Sequence, residues 1–275
     1  MAIRFSLAQH TVPDWSPAEM IYNAAHLGYD MVGIRMILQG IPGEADYDMV
    51  KQPRLVQLAQ EALEQTGIRI HDIDLASIAT GRPVAEYRPY LELARKLGCE
   101  SVVSSIWTED VGLYLNEFAK LCDIAAEYGL TVYLEFVTWA SVHDLKTASN
   151  ILDQVKRPNS KILLDSIHCY RSGVQAQEIG DYPLEWFDFM HLCDAPAPIP
   201  GNKEELIQTG RTQQLYPGEG AVDNRQILQH MSKDKVIGLE IPHDQRRNEY
   251  GAYEHARRCL ESAKTYLRQT GILQN

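Results

Sequence analysis

The chain has 275 residues, of which 45% are hydrophobic and 23% charged, a balance that supports a sizeable buried core. Its formal net charge of −11 sets a field that repels nucleic-acid phosphates and anionic membranes, so neither is expected as a partner. A small anionic substrate stays open, because a few local arginines override a global field.

The five cysteines, Cys99, Cys122, Cys169, Cys193 and Cys259, are scattered, odd in number and without a Cys-x-x-Cys pair. That argues against a disulfide framework and for a reducing cytoplasm. The opening MAIRFSLAQH lacks the apolar stretch of a signal peptide, and there is no 18-residue apolar run to span a membrane.

Short apolar runs alternate with longer amphipathic stretches. The expected strands are Ile3–Ala8, Met31–Arg35, Ile68–Leu75, Ser101–Ile106, Thr131–Val137, Lys161–Asp165, Phe187–Cys193 and Val236–Ile241. Helices are expected over Ser16–Leu27, with an N-cap serine and a first-turn proline, and over Pro53–Gln65, Glu86–Leu97, Val111–Tyr128, Val142–Val155, Asp223–Met231 and Tyr250–Gln269. Four of these end at or just before a glycine that precedes the next strand (Gly28, Gly67, Gly98 and Gly129), the grammar of repeated βα units. Eight such strands predict an α/β fold, a single (β/α)8 TIM barrel occupying residues 1–275 as one domain. The long gap before Val236 holds the Pro/Gly-rich stretch Ala195–Gly220, read as an extended active-site loop. A doubly wound open sheet is the rival, but SLAQHTVPDW lacks the glycines of a phosphate loop after the first strand.

In a barrel, the C-terminal ends of the strands converge on one mouth. Four strand candidates end in an ionisable residue within an apolar run: TVYLEFV (Glu135), KILLDSIH (Asp165), DFMHLCD (His191) and VIGLEIP (Glu240). Singly, an acid at a strand end is more often a helix cap or half of an ion pair. Together, three carboxylates on one rim repel and resist desolvation unless cations compensate, and Arg35, Arg171 and Arg246 are not placed between all three. A divalent cation resolves the conflict. The oxygen-rich set favours Mn²⁺ or Mg²⁺, with Co²⁺ or Zn²⁺ as alternatives.

These residues resemble the xylose-isomerase-like superfamily of sugar (phosphate) isomerases and epimerases, which includes tagatose/psicose 3-epimerases and inosose dehydratases. The resemblance covers nearly the whole chain and rests on LEF at 134–136, LLDSIHCYRSG at 163–173, MHLCDAP at 190–196, LYPGEGAVD at 215–223 and GLEIP at 238–242. It implies that Glu135, Asp165, His191 and Glu240 hold the metal, that Glu135 and Glu240 exchange substrate protons, and that His168 and Arg171, or an arginine close to it, touch substrate. Two departures fall where substrate is recognised: Arg35 stands where many relatives carry a glutamate, and the seventh-strand loop reads CDAPAPIP.

Among the softer candidates, Glu219 contacts the site or caps the following helix region, and Trp107 and Trp139 wall the pocket or simply pack. Asp194 orients His191 or a loop and is read as structural, His10 and His71 line the pocket or, as the favoured reading, belong to core or surface, and Cys193 is structural for want of a basic partner. His243 and Arg246 touch substrate or lie in a solvated loop. The expected function is a metal-dependent isomerase or epimerase acting on a keto-sugar or related polyol through a metal-stabilised enediolate. The alternative is a dehydratase or lyase of a keto-inositol or keto-sugar at the same site. An endonuclease IV-type nuclease and a non-catalytic sugar-binding barrel are the remoter readings. The expected partner is a small carbohydrate-like molecule, with homo-oligomers left open.

Overall fold

The first strand, β1 (Ile3–Ala8), and the first helix, α1 (Pro17–Leu27), set the pattern. Ser16 caps α1 by accepting from the Glu19 N–H while the Glu19 carboxylate accepts from the Ser16 N–H, so two orphan donors are satisfied at once. There follow β2 (Met31–Arg35), α2 (Pro53–Thr66), β3 (Arg69–Ile78), α3 (Arg88–Lys96), β4 (Ser101–Ile106), α4 (Val111–Glu127), β5 (Thr131–Glu135), α5 (Leu145–Val155) and β6 (Ser160–Asp165). The second half is more elaborate. Helices α6 (Ser166–Arg171) and α7 (Ala176–Ile179) precede β7 (Phe189–His191), and α8 (Lys203–Thr212) and α9 (Asn224–Gln229) precede β8 (Lys235–Leu239). Helices α10 (Asp244–Tyr250) and α11 (Ala252–Gln269) follow. This computed structural model describes residues 3–40 and 44–273.

Each strand pairs in parallel with the next, and β8 pairs with β1, closing the sheet into a single (β/α)8 barrel. All eight strands lie where the apolar runs placed them. β3 runs on to Ile78, and β7 is cut to three residues. The helices depart more. The third expected helix opens as a 3-10 turn over Val84–Tyr87, and the fifth starts at Leu145, where Asp144 accepts from the Thr147 N–H. The stretch 195–220 is not a plain loop. Asn202 accepts from the Glu205 N–H and starts α8, whose Lys-Glu-Glu-Leu-Ile-Gln run favours helix over its Pro- and Gly-rich flanks.

Two hydrophobic layers form. One fills the space between strands and helices. The other lies inside the barrel, where Met31, Val103, Tyr133, Leu163, Phe189 and Val236 are fully or almost fully buried. Side chains two residues apart on a strand share a face. Glu135, Asp165 and His191 each stand two residues beyond a member of that inner layer, and Glu240 stands four beyond Val236. The residues that fill the barrel thereby aim the ionisable ones into its mouth.

Candidate metal centre

The ligand atoms of Glu135, Asp165, His191 and Glu240 all lie within 4.8 Å of one another. His191 Nδ1 is the hub, 3.3 Å from Glu240 Oε2, 3.8 Å from Glu135 Oε1 and 3.9 Å from Asp165 Oδ2. Glycine makes room for the ring: a Cβ on Gly238 would stand 2.7 Å from His191 Cδ2. Backbone contacts hold the strand ends. The Thr11 hydroxyl donates to the Leu239 carbonyl and accepts from the Ile241 N–H, fixing the chain on both sides of Glu240. Beyond His191, the Cys193 N–H donates to Ser166 Oγ and the Asn224 amide donates to the Cys193 carbonyl.

Asp165 divides its oxygens. Oδ1 caps α6, accepting from the Ile167 and His168 N–H groups at 2.8 and 3.4 Å. Oδ2 is buried without a hydrogen-bond partner, as are both ring nitrogens of His191. Each such orphan costs about 1–3 kcal/mol.

The electrostatics carry the same message. Burial, then Glu240, drives the Asp165 carboxyl up to about 7 and Glu135 well above the usual carboxylate range. Burial opposes charge on His191, yet Glu240, Glu135 and Asp165 together lift it to about 10. Burial also acts against ionised Glu240, but His191 and His10 hold it well below the carboxylate range. Without a cation, these groups tolerate one another only by sharing protons. A divalent cation would satisfy the orphaned atoms and the charge together, so the residues present fit a metal.

The tetrad opens into a cavity of about 380 Å³, lined by Glu135 and Glu240 and by His168, Arg35, Trp107, Trp139, Arg82, Arg211, Gln39 and Gln214 among others. His168 Nδ1 accepts from the Thr138 N–H at 3.3 Å, so the ring proton belongs on Nε2, where it can donate. Burial pushes this imidazole down to about 3, keeping it neutral. Trp139 meets the His168 ring edge-on at 4.9 Å. Arg35 reaches the cavity but is paired with Asp74 at 2.9 Å.

Two expected substrate contacts fall elsewhere. Arg171 does not line the cavity: it donates to the Leu206 carbonyl and to Thr209 Oγ1, and so clamps α8. Glu219 lies outside it too, accepting from the Tyr216 N–H and pairing with Arg246, whose guanidinium stacks on Tyr216 at 4.0 Å. Asp194 organises the same loop, accepting from the Ala195, Gly218 and Val222 N–H groups. Cys193, its thiol pushed up by burial, is buried beside Asp165. His71 packs inside the barrel, 4.4 Å from the Phe189 ring.

Sequence reasoning favoured core or surface over the pocket for His10. It lines the cavity, 3.6 Å from Glu240 Oε1. Its signal was its position two residues past Ala8, on the alternation that already governed the other strands. Arg82, Arg211 and Gln214 were missed because their loops and α8 have no strand periodicity to place them.

These features define a metal-competent site at the mouth of a (β/α)8 barrel. The xylose isomerase-like TIM barrel family model matches residues 21–263, and the chain belongs to that family. The inosose isomerase of Bacillus subtilis (strain 168) is 26% identical over 167 residues, 57% of this chain and 56% of that protein. The 3-dehydroshikimate dehydratase of Pseudomonas aeruginosa (strain PAO1) is 24% identical over 149 residues, 52% of this chain and 23% of that protein. The chain thus spans about half, or less, of the length of these curated relatives. Among solved structures, the IOLI protein with a bound zinc atom superimposes with a TM-score of 0.81 at 19% identity, over 97% of this chain and 99% of that one.

Proposed function

We propose that this chain is a divalent-metal-dependent enzyme that moves a proton on carbon next to a carbonyl of a hydroxylated ketone, as an isomerase or epimerase. The observation that carries this reading is the tetrad, in which two carboxylates, Glu135 and Glu240, stand three strands apart around a buried imidazole with no hydrogen-bond partner. Three carboxylates and one imidazole suit Mn²⁺ or Mg²⁺, and the zinc in the IOLI structure keeps Zn²⁺ in the test set. Bound there, the ion would polarise the carbonyl and acidify the adjacent carbon.

The protein's own groups do the rest. Glu135 and Glu240 approach the reacting carbon from different sides of the rim, so one takes the proton and the other returns it. His168, neutral and with Nε2–H free, donates to a substrate oxygen. Trp107 and Trp139 wall the cavity and limit water. A second reading, elimination of water from the same activated carbon, is supported by the match to a 3-dehydroshikimate dehydratase.

Solvent deuterium exchange separates the outcomes. The Mn²⁺-loaded protein should place deuterium next to the carbonyl of a vicinal hydroxyketone and return it isomerised or epimerised. Loss of water instead would favour the second reading, and no exchange into any keto-sugar, inosose or keto-acid would contradict both.

A further inference from the structure

We propose that His255 is a positioning residue for Glu240 in the proposed metal centre, and that it ties the end of β8 to the chain that leaves β7. This inference rests on the metal-assisted reading above and adds to it a residue outside the cavity. Glu135, Asp165 and His191 are each the last residue of a strand, inside the sheet. Glu240 is not. β8 ends at Leu239, and its pairing stops at Leu239 towards β1 and at Gly238 towards β7. Backbone beyond a sheet is fixed only by the groups that take its N–H and C=O. Yet of the three carboxylates Glu240 comes nearest to His191, at 3.3 Å.

Two buried side chains fix the chain around it. Thr11 holds the Leu239 carbonyl and the Ile241 N–H. His255, fully buried near the start of α11, holds the next carbonyl, its Nε2–H donating to Ile241 at 2.8 Å. A carbonyl only accepts, so the ring proton is on Nε2 and Nδ1 accepts from the Tyr216 hydroxyl at 2.9 Å. Burial pushes this imidazole down to about 4 and keeps it neutral, so the tautomer persists. Tyr216 is fixed in turn. Its neighbour Leu215 exchanges both backbone hydrogen bonds with Asp194, in the chain just past His191. The Tyr216 N–H donates to Glu219, and Arg246 pairs with that carboxylate while covering the Tyr216 ring. The Gln214 N–H donates to the Pro242 carbonyl. Segment 214–219 therefore joins the chain leaving His191 to the chain leaving Glu240, and His255 is the buried contact that fastens it to β8 and α11. The Pro-Gly-Glu-Gly turn at 217–220 thereby bears on the tetrad without lining the cavity. An ion shared by His191 and Glu240 needs both ligand atoms in bonding reach at once, so a loosened tie costs affinity.

The test is Mn²⁺ affinity of the full chain, measured by competition with a chelating dye, together with the visible ligand-field bands of the Co²⁺-loaded protein. His255→Leu is of similar size and makes neither hydrogen bond. It should bind Mn²⁺ about 10–100-fold more weakly than wild type, the usual cost of losing a group behind a ligand, and should shift the Co²⁺ bands. His255→Gln, whose amide still donates to Ile241, should recover part of the affinity. Tyr216→Phe removes one hydroxyl and should weaken Mn²⁺ binding by about fivefold; it carries the test even where His255→Leu does not fold. Tyr29→Phe is the control. It removes the hydrogen bond from Tyr29 to the Ala256 carbonyl, the next residue of the same helix, and should leave affinity and bands unchanged. Wild-type affinity and bands in His255→Leu or in Tyr216→Phe overturn the inference and leave the metal reading standing. An equal loss in Tyr29→Phe also overturns it, because His255 would then only stabilise α11. A wild-type chain that binds neither Mn²⁺ nor Co²⁺ overturns the metal reading and this inference with it.

Discussion

The two oxygens of Asp165 have separate tasks, and conservative and drastic substitutions should separate them. Asp165→Asn keeps an oxygen for the Ile167 N–H but removes a ligand charge. It should leave α6 and the melting temperature of the metal-free protein in place while metal affinity collapses. Changes to groups merely behind a ligand cost about 10–100-fold, and this change should cost more. Asp165→Ala should in addition lose about 1 kcal/mol with the cap, ~2–4 °C in a protein of this size. Equal metal affinity in wild type and Asp165→Asn, measured by competition with a chelating dye, would remove Asp165 from the ligand set. Glu135→Gln and Glu240→Gln keep a coordinating amide oxygen and should retain metal while turnover falls by about 10²–10⁴-fold, the usual cost of a positioned acid–base group. For an epimerase, one variant should still exchange the proton of a single stereoisomer and the other variant that of its epimer. Loss of exchange for both isomers in both variants would point to a single base. The convergence of Glu135, Asp165, His191 and Glu240 was legible because each continues the alternation of a core-filling strand. Arg171 and Glu219 were misplaced because both sit beyond their strands, where sequence neighbourhood no longer implies a shared face.

Helix α8 is where sequence and structure part most. Its Pro- and Gly-rich flanks read as loop, and only the Asn202 cap with the acidic first turn marks a helix start. The consequence is functional, since α8 brings Arg211 to the cavity wall and is held by contacts that no local pattern announces. Arg171→Met removes two hydrogen bonds from this helix. Amide hydrogen exchange across 203–212 should then quicken by about tenfold or more, with the barrel strands unchanged. Unchanged exchange in α8 would show that Arg171 does not hold it. Gly210→Ala drives a methyl into Trp139 and should raise KM more than it lowers kcat, because the wall moves while the tetrad stays in place. A fall in kcat at constant KM would contradict that. The strands, by contrast, were all placed, with ends read to within three residues, because a buried parallel barrel needs apolar runs that surface helices do not.

For the whole molecule, buried charge predicts an unusual pH dependence. His191 at about 10, Asp72 at about 8 and Asp165 at about 7 hold protons in the metal-free folded state that the unfolded chain releases earlier. Where the folded state binds more protons, stability falls as pH rises. His168 and His255, lowered to about 3 and about 4, act in the opposite sense, but that effect is complete below pH 7. The metal-free protein should therefore lose stability from pH 7 to 9, by about 1.4 kcal/mol for each pH unit over which one such group is protonated only when folded. The metal-loaded protein should lose less, because the ion displaces the protons of His191 and Asp165; parallel melting curves for the two forms would contradict the account. The net charge of −11 and a tetrad with one histidine also stand against the nuclease reading, which needs a basic groove and a richer set of histidines. The most direct test of the central claim is anomalous diffraction from crystals grown with Mn²⁺. The account predicts one strong peak bonded to Glu135, Asp165, His191 and Glu240 at about 2.0–2.4 Å. No peak there at saturating Mn²⁺, or an ion held by other residues, would contradict it.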